Sequence, residues 1–379
     1  MEPGVSQALQ GANRIVIKVG SALISRDGAP RTRWIESLAA DIAALCDAGK
    51  DVLLVSSGAI ALGRSTLGPD RPRKLEEKQA AAAFGQPRLI QALEAAFAPH
   101  SLPVAQSLIT LDDTETRRRW LNARATLETI LTAGGLPVIN ENDTVATDEI
   151  RYGDNDRLAA RVAQMMKADV LILLSDVDGL YTADPRTNAS ARHLPHIEDL
   201  TADHEAMAGA ANAEADVGSG GMATKLAAAK IAIVAGCATI IADGRGDHPL
   251  NALQAGARHT LISSRLTPAA ARVQWLASNL KPEGQITVDS GAAKAIREGA
   301  SLLPVGVTGL LGNFERGAAV EIAEAEGQVI GKGVTAYSAR DIAAIKGLQS
   351  DAVRETLGYR GRPAVVHRDD IVLAWPHDR

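Results

Sequence analysis

The stretch Arg14-Ile15-Val16-Ile17-Lys18-Val19-Gly20-Ser21 decides how the rest of the chain is read. It is short, apolar along its whole length rather than at alternate positions, and closes on a lysine, a glycine and a serine. A strand without polar alternation is covered on both faces, as in a parallel or mostly parallel sheet. Similar runs recur at 51–55, 103–105, 136–139, 169–174, 239–241 and 260–262, separated by helix candidates at 34–48, 76–97, 122–132, 155–166 and 222–235. This alternation predicts an α/β domain, a mostly parallel sheet sandwiched by helices, over residues 1–265.

The pattern changes after Arg265. A helical linker is expected over 266–282, ending at Lys281-Pro-Glu-Gly. Short strands at 285–289, 301–304, 318–322 and 329–334, broken by glycines, then predict a small mainly-β domain over 283–379. A length of 379 residues suits two cores better than one. With 46% hydrophobic and only 3% aromatic residues, those cores must be aliphatic. A net charge of -5 argues against a broad nucleic-acid-coating surface. Cys46 and Cys237 show no partner pattern and read as reduced thiols. No apolar leader and no apolar run of membrane-spanning length is seen, which predicts a cytoplasmic protein without membrane association.

Several segments carry chemistry. Lys18, at the end of an apolar strand and followed by Gly20, points to the carboxyl edge of the sheet, where open α/β sheets bind ligands; a solvated strand-end lysine is the plain alternative. Ser56-Ser57-Gly58 joins a strand to a helix, as an anion site or as a simple N-cap. Asn140-Glu141-Asn142-Asp143 ends another strand, and Gly153-Asp154-Asn155-Asp156 precedes a helix, where one carboxylate serves equally well as a cap. Amides and carboxylates at this density can orient an amino acid's ammonium and carboxylate, whereas calcium-loop spacing is not met. The run Gly218-Ser219-Gly220-Gly221-Met222-Ala223-Thr224-Lys225 offers backbone N–H groups and a lysine to phosphate. Its overlap with a dinucleotide fingerprint fails because no strand precedes it. The run 327–333 is one residue short of a Walker A loop and ends in glycine. Ser175-Asp176, leaving a further strand, can line a nucleotide site. His193 and His196 lack a further ligand at metal-site spacing.

In this order and spacing, Val-Ile-Lys18-Val-Gly20-Ser21, Val-Ser-Ser57-Gly58-Ala59-Ile60, Val-Ile-Asn140-Glu-Asn-Asp143, Gly153-Asp154-Asn155-Asp156, Gly179-Leu-Tyr-Thr-Ala-Asp-Pro185 and Gly220-Gly221-Met222-Ala-Thr224-Lys225 resemble the amino acid kinase family over residues 12–265. The tail, with Ser301-Leu-Leu-Pro-Val-Gly306, Gly312-Asn-Phe-Glu-Arg-Gly317 and Val366-His-Arg-Asp-Asp370, looks like a PUA domain. Val19 and Ser175 depart mildly from the usual residues without removing a charge or a glycine.

The resemblance implies an ATP-dependent phosphotransferase whose acceptor is the side-chain carboxylate of L-glutamate, at the entry to proline biosynthesis. It implies that Ser57, Asn140, Asp143 and Asn155 hold glutamate. Lys18, Ser175, Asp176 and the residues Ser219, Gly220, Gly221, Met222, Ala223, Thr224 and Lys225 would bind ATP. Asp156 would position the two lysines, and Mg²⁺ would arrive on the nucleotide without a named protein ligand. It further implies a homo-oligomer and feedback inhibition by proline. Two readings compete: a kinase of another acceptor, such as N-acetylglutamate, aspartate or a nucleoside monophosphate, and an RNA-binding role for the PUA-like domain through Arg316, Lys332, Arg340 and Lys346. The acidic balance of the chain opposes the second as a main function.

Overall fold

The computed structural model of the protein describes residues 4–68, 74–146, 154–211, 221–268, 270–271, 282–358 and 362–373. The chain divides into two units, Met1–Pro268 and Ala269–Arg379.

The first unit is built on an eight-stranded sheet. In chain order its strands are β1 (Arg14–Val19), β2 (Asp51–Ser56), β3 (Val104–Ile109), β4 (Leu136–Glu141), β5 (Val170–Ser175), β6 (His196–Ile197), β7 (Ala238–Asp243) and β8 (His259–Ile262). Their spatial order is β6-β8-β7-β5-β1-β2-β4-β3. All neighbours from β7 to β3 are parallel, and β8 joins β7 antiparallel. The strand at 103–105 begins one residue later than the sequence pattern suggests and runs on to Ile109. Its second half alternates in burial because β3 is an edge strand, so the uniform apolar signature is lost there.

The helices that matter for the site are α1 (Thr32–Asp47), α2 (Ala59–Gly63), α3 (Leu75–Phe97), α4 (Arg117–Thr132), α5 (Asp154–Met166) and α6 (Met222–Val234). One core layer joins Ile15, Ile17, Leu54 and Ile172 to Leu38 and Leu89 of α1 and α3. The opposite layer joins Val16, Leu53, Val55 and Leu171 to Leu158 of α5, Leu226 of α6 and Leu127 of α4. The strand period of two therefore sends Lys18 to the same face as Val16, beneath α5 and α6. That single step of alternation is what aims the β1 lysine at a helix layer rather than at water.

Two backbone constraints shape the carboxyl edge. Gly58 adopts φ +105, a left-handed conformation, and a Cβ there would meet Ile24 Cγ2 at 3.1 Å. Helices α2 and α3 approach so closely that a Cβ on Gly63 would lie 1.9 Å from Ala81 O, and one on Gly85 1.7 Å from Ala59 O. Only glycine permits this contact, and it presses α3 against the turn after β2.

The second unit is a five-stranded sheet of β9 (Gly284–Val288), β10 (Val307–Leu311), β11 (Ala319–Glu324), β12 (Val329–Thr335) and β13 (Val366–Leu373), in the order β10-β9-β11-β12-β13. Its core includes Ile286, Val320, Ile322, Ile342 and Val365. The expected strand at 301–304 is not one. Leu302 makes an isolated bridge to Val366, Pro304–Gly306 form a 3₁₀ turn, and the strand follows at Val307–Leu311. Proline cannot donate to a ladder, which moves the strand beyond it. The glycine-lysine run 327–333 enters the hairpin strand β12 opposite β11, so it is no phosphate loop. Of the expected linker helix, residues 269 and 272–281 lie outside the described residues. No helix among the described residues is long and apolar enough to cross a membrane.

Candidate active site

The carboxyl ends of β1, β2, β4, β5 and β7 line one edge of the sheet. Gly20 N–H donates to Leu174 O at 3.3 Å and Ser57 N–H to Val19 O at 3.2 Å, tying the turns after β1 and β2 to the neighbouring strand ends. This edge gathers the motifs that the sequence scatters across some two hundred positions.

At its centre is Asp156, on the first turns of α5 and fully buried. Lys18 Nζ lies 2.5 Å from its Oδ1, and Lys225 Nζ lies 3.2 Å from its Oδ2. Thr224 Oγ1 also reaches Asp156 Oδ2 at 3.2 Å, besides Gly221 O at 2.8 Å. Lys18 and Lys225 are 5% and 3% exposed, so neither is a surface charge. Asp156 is likewise no helix cap, because its carboxylate is spent on the lysines.

One carboxylate thus serves two ammonium groups, and the electrostatics of the two partners differ accordingly. Burial would push the Asp156 carboxyl up, but Lys18 and Lys225 outweigh it and hold it below the ordinary carboxylate range. For Lys18, burial is the larger influence. Asp156 opposes it, Lys225 adds to it, and the ammonium is driven below its usual value. Among the described residues, Asp156 is the carboxylate within ion-pair distance of both lysines, and Asp176 acts on Lys18 from farther off. Two buried ammonium groups at one edge are suited to an incoming anion.

A second group lies beside the first, on α5 and the turns after β2 and β4. Asn155 Nδ2 donates to Ser57 Oγ at 2.7 Å, to Asn140 Oδ1 at 3.0 Å and to Ser56 O at 3.2 Å. The Glu141 backbone N–H also donates to Asn140 Oδ1 at 2.9 Å, and Asn140 Nδ2 donates to Gln86 Oε1 at 2.9 Å. Ser57 does not cap α2. The cap position is Gly58, without a side-chain bond, which removes the simple N-cap reading. Gln86, Glu141, Asn142, Asp143 and Gln106 line a cleft of about 470 Å³. Burial pushes the Asp143 carboxyl up to about 6. The rest of the cleft lining is largely apolar, including Ala82, Pro87, Ile90 and Leu108, so its carboxylates and amides stand on an apolar wall, and Ser57, Asn140 and Asn155 are not part of it.

Ser175 and Asp176 stand on the far side of β1. Ser175 Oγ donates to Asp176 Oδ1 at 3.0 Å, and the β7 end follows through Gly244 N–H to Ser175 O at 2.8 Å. Of the glycine-rich run, Gly221 sits at the N-cap of α6, with Met222 and Ala223 in its first turn. Ser219 and Gly220 lie outside the described residues. His193 stacks edge-on to Tyr181, while His196 Nε2 lies 2.7 Å from Ser263 Oγ, so the two histidines do not converge. Among the described residues, no group of three or more His, Cys, Asp or Glu side chains is placed to hold a metal ion.

Gln86 carries no motif signal. It is one polar residue in an Ala-rich helix, and only the α2–α3 contact reveals that it meets Asn140.

Comparison with known proteins adds a separate line of evidence. The pattern of the amino acid kinase family matches residues 13–243, and that of the PUA domain residues 284–357. The chain is 54% identical over 377 residues to the glutamate 5-kinase of Caulobacter vibrioides (strain NA1000 / CB15N), covering 99% of this chain and 100% of that one. It is 53% identical over 367 residues to the glutamate 5-kinase of Paramagnetospirillum magneticum (strain ATCC 700264 / AMB-1), covering 96% and 99%. Among solved structures, the isopentenyl phosphate kinase product complex of T. acidophilum aligns with a TM-score of 0.44 at 17% identity, covering 66% of this chain and 99% of that one.

Replacing Asp156 by Asn should leave two buried ammonium groups without their shared counter-ion. Breaking a buried pair from one side typically costs about 3–5 kcal/mol. Denaturant unfolding of the nucleotide-free Asp156→Asn variant is expected to show a loss of that order; an unchanged midpoint would contradict the burial and pairing described here.

Proposed function

The chain belongs to the amino acid kinase family, and from that premise we propose that it transfers the γ-phosphoryl of ATP to the side-chain carboxylate of L-glutamate, giving L-glutamate 5-phosphate. The observation that carries this reading is the Lys18–Asp156–Lys225 triad beside the Asn155–Ser57–Asn140 group, in a chain more than half identical over nearly its whole length to glutamate 5-kinases.

In this reading the transferring phosphoryl group meets Lys18 on one side and Lys225 on the other. Asp156 holds both ammonium groups at fixed positions and is too strongly paired to serve as a base. No base is required, since a glutamate side chain is already ionised near neutral pH. The work left to the protein is in-line positioning and neutralisation of charge spread over the phosphoryl oxygens. Gly221, Met222, Ala223 and Thr224, at the start of α6, take the phosphate side, and Ser219 and Gly220 are assigned to the nucleotide from their place in the motif alone. Ser175 and Asp176 flank the nucleotide. Ser57, Asn140, Asp143 and Asn155 hold glutamate, with Asp143 placed for its ammonium group. Mg²⁺, when bound, would supply positive charge against the nucleotide phosphates; the Asp156 carboxylate is already taken by the lysines, so no residue of this chain is assigned to it. The proposal extends to a cytoplasmic homo-oligomer and to proline as a feedback inhibitor.

Trapping with hydroxylamine tests the acceptor directly, because an acyl phosphate yields a hydroxamate. With glutamate, ATP and Mg²⁺ the unaltered protein should form glutamyl hydroxamate. Lys18→Ala and Lys225→Ala should each lower turnover by about 100- to 1000-fold, the usual loss on removing a transition-state charge donor. Near-normal turnover in either variant would contradict the two-lysine arrangement.

The raised carboxyl of Asp143 gives a pH signature. Only its ionised form pairs with an ammonium, so glutamate affinity should rise as pH rises through about 6. For a single group of that kind, the KM for glutamate falls about tenfold between about pH 5 and 7. Asp143→Asn should abolish this dependence; its persistence in the variant would remove Asp143 from the site.

A further inference from the structure

Gln86 follows Gly85 on α3, at the point where the glycine contact with α2 brings that helix against the site. The direction of the hydrogen bonds that run from it is fixed by a group with no freedom of choice. A backbone N–H can only donate, so the atom of Asn140 that lies 2.9 Å from Glu141 N must be its oxygen. The other end of that carboxamide is then Nδ2, and the atom it meets on Gln86 at 2.9 Å must be Oε1. Gln86 Nε2 is consequently the buried atom that finds no hydrogen-bond partner among the described residues.

On the other side, Asn155 Nδ2 donates to Asn140 Oδ1 and to Ser57 Oγ. The Ser57 oxygen is an acceptor in this series, and its own proton is left to point elsewhere. Reversing Asn140 would set its Nδ2 against two donors, Glu141 N and Asn155 Nδ2. The one polarity that satisfies the series needs an acceptor at Gln86.

We infer that Gln86 is a positioning residue of the acceptor site: by accepting from Asn140 Nδ2 it anchors the carboxamide whose polarity Glu141 N–H sets, and so holds in place the Asn140–Asn155–Ser57 series that offers the Ser57 hydroxyl proton to a carboxylate oxygen of the amino-acid substrate. This rests on the acceptor assignment made above. Gln86 acts through Asn140, which is 2% exposed, and not on the phosphoryl group. Its loss should therefore weaken acceptor binding and leave ATP binding alone.

A double-mutant cycle in the full-length enzyme tests this. Gln86→Met keeps the length of the side chain and removes the acceptor; Gln86→Ala is the second variant should methionine disturb folding. Either should raise the KM for glutamate about tenfold, with the KM for ATP within about twofold of the unaltered enzyme. Asn140→Ala should raise the KM for glutamate similarly, and adding the Gln86 change to it should alter that value by no more than about twofold, because the two residues act as one unit. An unchanged KM for glutamate in both Gln86 variants, or full additivity with Asn140→Ala, would overturn the role of Gln86 while leaving the acceptor assignment intact. Absence of glutamyl hydroxamate from the unaltered enzyme would overturn the acceptor assignment and the role of Gln86 together.

Discussion

The Asp156 carboxylate, buried between Lys18 and Lys225, is the interaction on which the active edge of this protein depends. At this depth Lys18 depends on its counter-ion, since removing an ion from water costs several kcal/mol even after relaxation. One carboxylate is shared by two ammonium groups; it is held down, and Lys18 is driven below its usual range. In the proposed phosphoryl transfer these positive charges meet the negative charge that arrives with the nucleotide and spreads over the moving group.

The fold delivers these three side chains from three separate elements. Strand alternation turns Lys18 toward the α5–α6 layer. Asp156 comes from the first turn of α5, and Lys225 from the first turn of α6, two helices that share one core layer through Leu158 and Leu226. The aliphatic packing beneath the site sets its dimensions. On the neighbouring side, the glycine contact between α2 and α3 does the same for the acceptor group, because Gln86 can reach Asn140 only when Gly63 and Gly85 let the helices close. Each polar group is thus placed by an apolar or glycine contact next to it in sequence.

Much of this could be read from the sequence, and the reasons are local. A strand such as Arg14–Val19, apolar at every position and ending in Lys-Val-Gly-Ser, declares both a buried sheet and its ligand edge. Helix α5 carries its Asn155-Asp156 pair at a start signal. What the sequence left open was the choice between functional and capping roles for Ser57 and Asp156, which depends on partners 98 and 69 positions away. The edge strand β3 was shortened because its polar alternation hid its second half, and the strand expected at 301–304 was displaced by Pro304. Gln86 carries no signal at all, since one of three glutamines in a helix gains meaning only from the residue that tertiary packing sets before it.

The proposed reaction needs no base: Asp156 is engaged by both lysines, and a carboxylate acceptor is already ionised near neutral pH. The most direct measurement is the fate of oxygen. Glutamate labelled with ¹⁸O in its side-chain carboxylate is phosphorylated, and the product is cleaved by hydroxylamine, which attacks the carbonyl carbon and expels phosphate with the bridging oxygen. Inorganic phosphate carrying one ¹⁸O atom is the predicted result, showing that the carboxylate oxygen attacked the γ-phosphorus. Phosphate free of label would contradict it.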